Sequence, residues 1–82
     1  MMVRVSVLDT WDEVALDLAE DTTVAQLKAE ALRRARVMKD PAGYEVKFRG
    51  AELIDEGQTL AQAGVVPNAA LIVLPRRRQP VR

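Results

Sequence analysis

The sequence contains neither cysteine nor histidine. Without cysteine the chain has no disulfide framework, no thiolate metal site and no thiol nucleophile. Without histidine it lacks the usual general base and the commonest metal ligand. The only serine, Ser6, falls inside a strand pattern. Serine–histidine and cysteine–histidine catalysis are therefore excluded by composition, and we expect a protein that is not an enzyme and uses no cofactor.

Long apolar segments are also missing. No run approaches the roughly 20 residues that a membrane-spanning helix needs, and the N-terminal residues lack the layout of a secretory signal. The sequence thus predicts a cytoplasmic, monomeric protein without a membrane span. Eighty-two residues suit one domain. Aromatic residues are few, with one Trp, one Tyr and one Phe, so the predicted core is aliphatic.

Charge is balanced in total but unevenly placed. The formal net charge is +0, yet Arg76, Arg77, Arg78 and Arg82 cluster at the end, which leaves the rest acidic. We expect a domain over residues 1–75 and a flexible basic tail over residues 76–82. Such a tail can attract an acidic protein, anionic lipid or nucleic acid, or it can be a solvated end that limits aggregation. Nucleic acid is disfavoured because no aromatic residues interleave with the arginines.

The acidic residues show no metal-binding pattern. Asp9, Asp12 and Glu13 lie at a predicted turn, and Asp55 and Glu56 lie in a predicted loop. Neither group has the spacing of a calcium loop. We interpret these carboxylates as solvated turn residues and predict no metal site.

The first half of the chain predicts a hairpin followed by a helix. Apolar residues alternate with polar ones over residues 3–8 and 14–18, as in half-buried strands. Thr23 and Gln26 have the spacing of a capping box, and apolar residues then recur at helical spacing to about residue 36. Lys28 lies beside this apolar face, where its stem is expected to pack while its ammonium group reaches water.

The second half predicts a central hairpin and a closing strand. Residues 44–53 alternate around a turn at Gly50, residues 59–64 form one helical turn that ends at Gly64, and residues 70–74 form an apolar strand. This order indicates an α+β domain, a mixed sheet with one helix packed across one face and its first and last strands side by side and parallel. The predicted core is Val3, Val5, Val7, Val14, Leu16, Leu18, Val24, Leu27, Ala31, Val46, Phe48, Leu53, Leu60, Leu71 and Val73.

The order of these elements resembles ubiquitin and its β-grasp relatives over most of the chain. The most similar segments are TVAQLK at residues 23–28, VKFRG at residues 46–50, the Thr59-Leu60 pair, and LIVL at residues 71–74 followed by arginines. The chain also looks like small stand-alone bacterial ubiquitin-like proteins, such as the YukD-like proteins found with type VII secretion systems. The resemblance implies a ubiquitin-like fold and a role in binding other proteins, with a link to secretion.

Two departures from ubiquitin bear on function. Ubiquitin and the sulfur carriers end in Gly-Gly, whereas Gln79 and Pro80 stand at the matching positions and no Gly-Gly occurs. A covalent modifier or sulfur carrier is therefore disfavoured. The second departure is in the apolar patch through which ubiquitin-like domains are usually recognised. Its matching residues are Leu8, Lys47, Ile72 and Leu74, so one position, Lys47, is charged rather than apolar.

These residues lead to a functional hypothesis. We expect a non-catalytic adaptor that docks a protein partner through Leu8, Lys47, Ile72 and Leu74, with Arg76, Arg77 and Arg78 attracting acidic groups. A small non-catalytic subunit of a multicomponent enzyme is the other alternative. Exposed branched residues on a strand can also reflect β-propensity alone. Trp11, at the tip of the first hairpin, is expected to fold back on the domain, although an exposed Trp would be a typical interface anchor.

Overall fold

The computed structural model describes residues 1–76. The predicted tail residues 77–82, including Arg77 and Arg78, lie outside the described residues. The described part contains five strands, one α-helix and a short 3₁₀ turn. In chain order these are β1 (Met2–Val7), β2 (Asp12–Asp17), α1 (Val24–Arg34), the 3₁₀ turn Pro41–Gly43, β3 (Tyr44–Phe48), β4 (Ala51–Glu52) and β5 (Ala70–Pro75).

The five strands form one mixed sheet in the order β2-β1-β5-β3-β4. The first and last strands are parallel neighbours at its centre, with Val5 opposite Leu71. The other strand pairs are antiparallel. The structure confirms the predicted α+β class, the single helix packed against the sheet and the parallel pairing of β1 with β5. This arrangement is consistent with a β-grasp-like α+β fold.

The core lies between the helix and one face of the sheet. Most of the predicted core residues are buried there, but Val14, Leu18 and Leu53 are only partly buried at its margin. Five residues complete the core without having been predicted, namely Leu32, Ala35, Tyr44, Val65 and Ala69. Leu32 and Ala35 continue the apolar helix face, and Tyr44 is inward because it alternates with Val46 and Phe48 along β3.

Both ends of α1 have a defined capping structure. Thr23 accepts a hydrogen bond from the Gln26 N–H, and the Gln26 side chain accepts one from the Thr23 N–H, as the predicted capping box requires. The helix ends at Arg34, about two residues before the predicted end. Arg36 has a φ of +61°, and the Val37 N–H donates to the Leu32 carbonyl. This is a Schellman motif, and it has arginine where glycine is usual, so the sequence carried no stop signal.

The two predicted glycine turns are confirmed. Arg49 and Gly50 have φ values of +56° and +80°, as in the two-residue type I′ turns that join antiparallel strands. Residues 59–64 form the predicted helical turn, because the Ala63 N–H donates to the Thr59 carbonyl at 3.0 Å. Gly64 ends this turn with a φ of +82°, a conformation that glycine adopts without steric cost.

Lys28 is placed differently from its prediction. Its ammonium group does not reach water, since the residue is only 3% exposed. The Nζ donates to the Tyr44 carbonyl at 2.9 Å and lies 2.7 Å from Glu56 Oε1. The expectation of a solvated head group was wrong, because the carboxylate of Glu56, from a loop distant in the chain, pairs with the Lys28 ammonium group.

Candidate interaction surface

The face of the sheet opposite the helix carries the predicted docking residues. Along β5 the side chains alternate, with Leu71 and Val73 buried and Ile72 40% exposed. Because β5 is the middle strand of five, Ile72 lies near the centre of this open face. An exposed branched side chain thus lies on a strand whose opposite face is buried in the core.

The strand register brings the predicted residues together. Ile72 is opposite Lys47 on β3, and the next outward residue of β5, Leu74, is opposite Glu45. The Leu8 N–H donates to the Val73 carbonyl at 3.0 Å, which extends the β1–β5 pairing by one residue. Alternation along β1 then places half-buried Leu8 on the same open face as Leu74. We call these four residues, Leu8, Lys47, Ile72 and Leu74, the outer patch.

The surroundings of the outer patch are charged. Lys47 is 40% exposed at its side chain, and its Nζ lies 4.0 Å from Glu45 Oε2. An open depression of about 600 Å³ adjoins the patch and is lined by Glu45, Lys47, Leu74, Pro75 and Arg76. The patch is thus an apolar centre with charged groups of both signs along one side, as in the core and rim of protein interfaces.

Arg76, predicted as the first tail residue, is bound to the domain. Its Nη1 lies 3.0 Å from Glu52 Oε2, its Nη2 lies 3.3 Å from Glu56 Oε2, and its Nε donates to the Ala42 carbonyl. Its backbone N–H also donates to the Gly43 carbonyl at 2.8 Å. Sequence analysis missed these contacts because the two glutamates lie 20 and 24 positions away, and nothing local couples them.

Glu56 connects this contact to the interior. One of its oxygens pairs with Lys28 and the other with Arg76. Lys28, Glu56, Arg76 and Glu52 therefore form a chain of alternating charges from the helix to the end of β5. The chain thus connects Lys28 on the helix to Arg76, which lines the depression beside the outer patch.

Trp11 does not fold back on the domain. Its side chain is 84% exposed at the end of the β1–β2 turn, so the expectation of a packed ring was wrong. The backbone at Trp11 has a φ of +57°. The residues around it, Asp9, Thr10, Asp12 and Glu13, are all exposed.

Within residues 1–76 three groups have clearly shifted pKa values, and none belongs to the outer patch. The Tyr44 hydroxyl donates to Asp9, and this bond, together with burial, raises the pKa of Tyr44 to about 12. On the exposed side of α1, hydrogen bonds from Arg33 lower the pKa of Glu30, and the same contact raises the pKa of Arg33. All three groups keep their ordinary charge at neutral pH.

Within residues 1–76 no group of three or more acidic side chains is arranged to hold a metal ion. No helix in this described part is long and apolar enough to cross a bilayer.

No protein-family model matches the chain, and no curated protein is significantly similar to it. A functional proposal therefore rests on the fold, the outer patch and the segments that resemble ubiquitin.

Proposed function

We propose that the chain is a ubiquitin-like, non-catalytic binding module that acts as an adaptor to a larger protein or complex. The observation that carries the proposal is Ile72, an apolar side chain 40% exposed at the centre of the sheet face opposite α1. Leu8 and Leu74 extend this apolar centre along the two central strands. The parallel β1–β5 pairing and the resemblance to ubiquitin support the same role.

The charges beside the patch indicate the chemistry of the partner. Lys47 is directly opposite Ile72, and its 4.0 Å contact with Glu45 is a weak surface pair. A partner with an apolar group for Ile72 and a carboxylate for Lys47 complements this arrangement. The predicted attraction from Arg76 is reduced, because its guanidinium already pairs with Glu52 and Glu56. Arg77 and Arg78, beyond the described residues, keep their predicted role in this proposal.

Affinity capture from the native cells tests the proposal. The tagged protein is recovered after native and after fully denaturing washes, and the proteins recovered are identified by mass spectrometry. The partner found in the native wash is then titrated against wild type, Ile72→Asp and Lys47→Glu. We expect Ile72→Asp to weaken binding at least about tenfold, as at interface hot spots, and Lys47→Glu to weaken it in a salt-dependent way.

A matched control separates the patch from the rest of the sheet. Ala15→Asp adds the same charge to an exposed position of edge strand β2, outside the patch, and we expect it to bind as wild type does. Circular dichroism confirms that each variant is folded. Equal affinity for Ile72→Asp and wild type would refute the docking surface. Adducts that survive denaturation would instead identify a covalent modifier, and co-purification with a large catalytic chain would identify an enzyme subunit.

A further inference from the structure

The β1–β2 turn presents the chain's only tryptophan to solvent. Trp11 is 84% exposed. Neither the core nor the outer patch uses this ring. Burial of apolar surface is the main way in which a large aromatic side chain stabilises a fold, and Trp11 buries little. Its contribution to folding therefore does not explain its presence.

The backbone at this position favours other residues. The last β1–β2 pair is Val7 with Asp12, and Trp11 closes the turn between them with a φ of +57°. A bulky side chain in this left-handed conformation is an outlier, whereas glycine and asparagine adopt it readily. At its other left-handed positions the described chain has Gly50, Gly64 and Asn68, but also Arg36 and Arg49. Steric preference therefore opposes Trp at position 11.

The turn is anchored although its tip is exposed. Asp9, two residues before Trp11, accepts a hydrogen bond from the buried Tyr44 side chain. The Trp11 N–H faces the Leu8 carbonyl at 3.4 Å. The ring is thus presented from a turn whose base is tied to the core, so that little conformational freedom is lost on binding.

Acidic residues flank Trp11 in the sequence. Asp9, Asp12 and Glu13 are exposed within two positions of Trp11. Among the ion pairs of residues 1–76, none involves Asp12 or Glu13. Negative charge here repels nucleic-acid phosphates and anionic lipid surfaces, and it attracts cationic groups.

We infer that the β1–β2 turn is a second protein-binding site, in which Trp11 inserts into an apolar pocket with a lysine- or arginine-rich rim. Trp is the residue type most enriched among interface hot spots. Steric cost, exposure and the neighbouring carboxylates of complementary charge together point to this occupant. The site differs from the outer patch in its anchor, which is Trp11 rather than Ile72, and in its neighbouring charges, which are acidic rather than of both signs.

The test uses peptides selected from a phage-displayed library of constrained peptides. The library is panned against the wild-type protein, with prior depletion on Trp11→Gly, and the selected peptides are synthesised. Because Trp11 is the only tryptophan, its fluorescence reports directly on its own environment. We expect the peptides to be enriched in Lys or Arg beside apolar residues. Their titration should shift Trp11 emission to shorter wavelength.

Matched variants separate binding from folding. Trp11→Gly should lower peptide affinity at least about tenfold while leaving the urea midpoint equal to or above that of wild type. Arg36→Gly makes the same exchange at another exposed left-handed position and should leave affinity unchanged. The double variant that combines Asp12→Asn with Glu13→Gln should bind the peptides more weakly at low salt. Most of the salt dependence of peptide affinity should also be lost.

Each contrary result would overturn the inference. A lower urea midpoint for Trp11→Gly would show that the ring serves the fold. A selection that yields no Trp11-dependent peptide, or peptides without basic residues, would remove the proposed partner. Vesicles of phosphatidylcholine with phosphatidylserine should leave Trp11 emission unchanged, and a shift with them would identify a lipid surface instead. The Ile72→Asp variant should still bind the peptides. A result that refutes the Trp11 site can therefore be distinguished from one that refutes docking at the outer patch.

Discussion

Lys28 is the one charged residue among the buried residues of the described chain, with 3% exposure. A buried ammonium group is costly unless it is paired and hydrogen-bonded. Here Glu56 supplies the opposite charge at 2.7 Å and the Tyr44 carbonyl accepts a second hydrogen bond. These contacts join α1 to β3 and to the loop before residue 59, so one side chain connects three segments.

Replacing this lysine should therefore destabilise the fold. Lys28→Met keeps most of the apolar stem but leaves the Tyr44 carbonyl and one oxygen of Glu56 without their partner. We expect a loss of about 2–4 kcal/mol in the free energy of unfolding, measured by urea denaturation. Lys47→Met makes the same exchange at a half-exposed position and should change stability by no more than about 0.5 kcal/mol. Equal effects of the two substitutions would contradict a structural role for the buried pair.

Two short helical elements begin with the same arrangement. Thr23 and Gln26 exchange hydrogen bonds at the start of α1, and Thr59 and Gln62 do so at the start of the later helical turn. The two caps are adjacent in space, since Thr23 and Thr59 form an isolated β-bridge. Val24 N–H donates to the Gln58 carbonyl, and Leu60 N–H donates to the Thr22 carbonyl. The caps thus satisfy the helix ends and also join the helix to the loop beneath it.

Removing one cap should show how much that cap contributes to the free energy of unfolding. Thr23→Ala deletes the hydroxyl that accepts from the Gln26 N–H, and we expect a loss of about 1 kcal/mol in chemical denaturation. Thr10→Ala is the control, because Thr10 is exposed and its hydroxyl makes no hydrogen bond within residues 1–76. If the two variants have the same unfolding free energy, the capping box does not hold the start of α1.

Across the molecule, the hydrogen bond from Tyr44 to Asp9 links the first hairpin to β3. The two residues are 35 positions apart. Asp9 follows β1 and Tyr44 begins β3, and β5 lies between these strands in the sheet. The bond therefore spans the central strand and ties the two halves of the sheet at one end. It also holds the turn that carries Leu8 and Trp11.

This link predicts a loss of stability in alkali. The pKa of Tyr44 is raised to about 12 in the folded protein from 10.0, so the folded state retains the proton more strongly than the unfolded chain. The contribution is complete below pH 10 and is lost as the pH rises through about 12. We expect the urea midpoint of unfolding to fall over this interval.

Tyr44→Phe provides the reference for this titration. It keeps the buried ring and removes the ionisable hydroxyl, so its stability should depend less on pH between 10 and 12 than that of wild type. Parallel curves for the two proteins would show that the hydrogen bond to Asp9 does not contribute, and that other groups cause any alkaline loss.

Local patterns in the sequence were enough to predict the elements and their class. Alternation assigned the strands, Thr23 and Gln26 marked the start of the helix, and Gly50 and Gly64 marked turns. The parallel pairing of β1 with β5 also followed, because the order of elements left few ways to bury their apolar faces. Because side chains in strands alternate strictly, Lys47, Ile72 and Leu74 could also be placed on the outward side of their strands. Leu8 was added through the resemblance to ubiquitin.

Contacts between residues distant in the chain were not predictable in this way. Lys28, Glu56 and Arg76 show no pairing signal in the sequence, and neither do Tyr44 and Asp9. Their partners are chosen by the packing of separate elements. Trp11 and Arg36 also have left-handed backbone conformations, and the sequence does not predict them because neither residue is glycine. Short-range pattern determined the elements of this protein, and the three-dimensional packing of those elements determined which charges are buried and which aromatic ring remains in solvent.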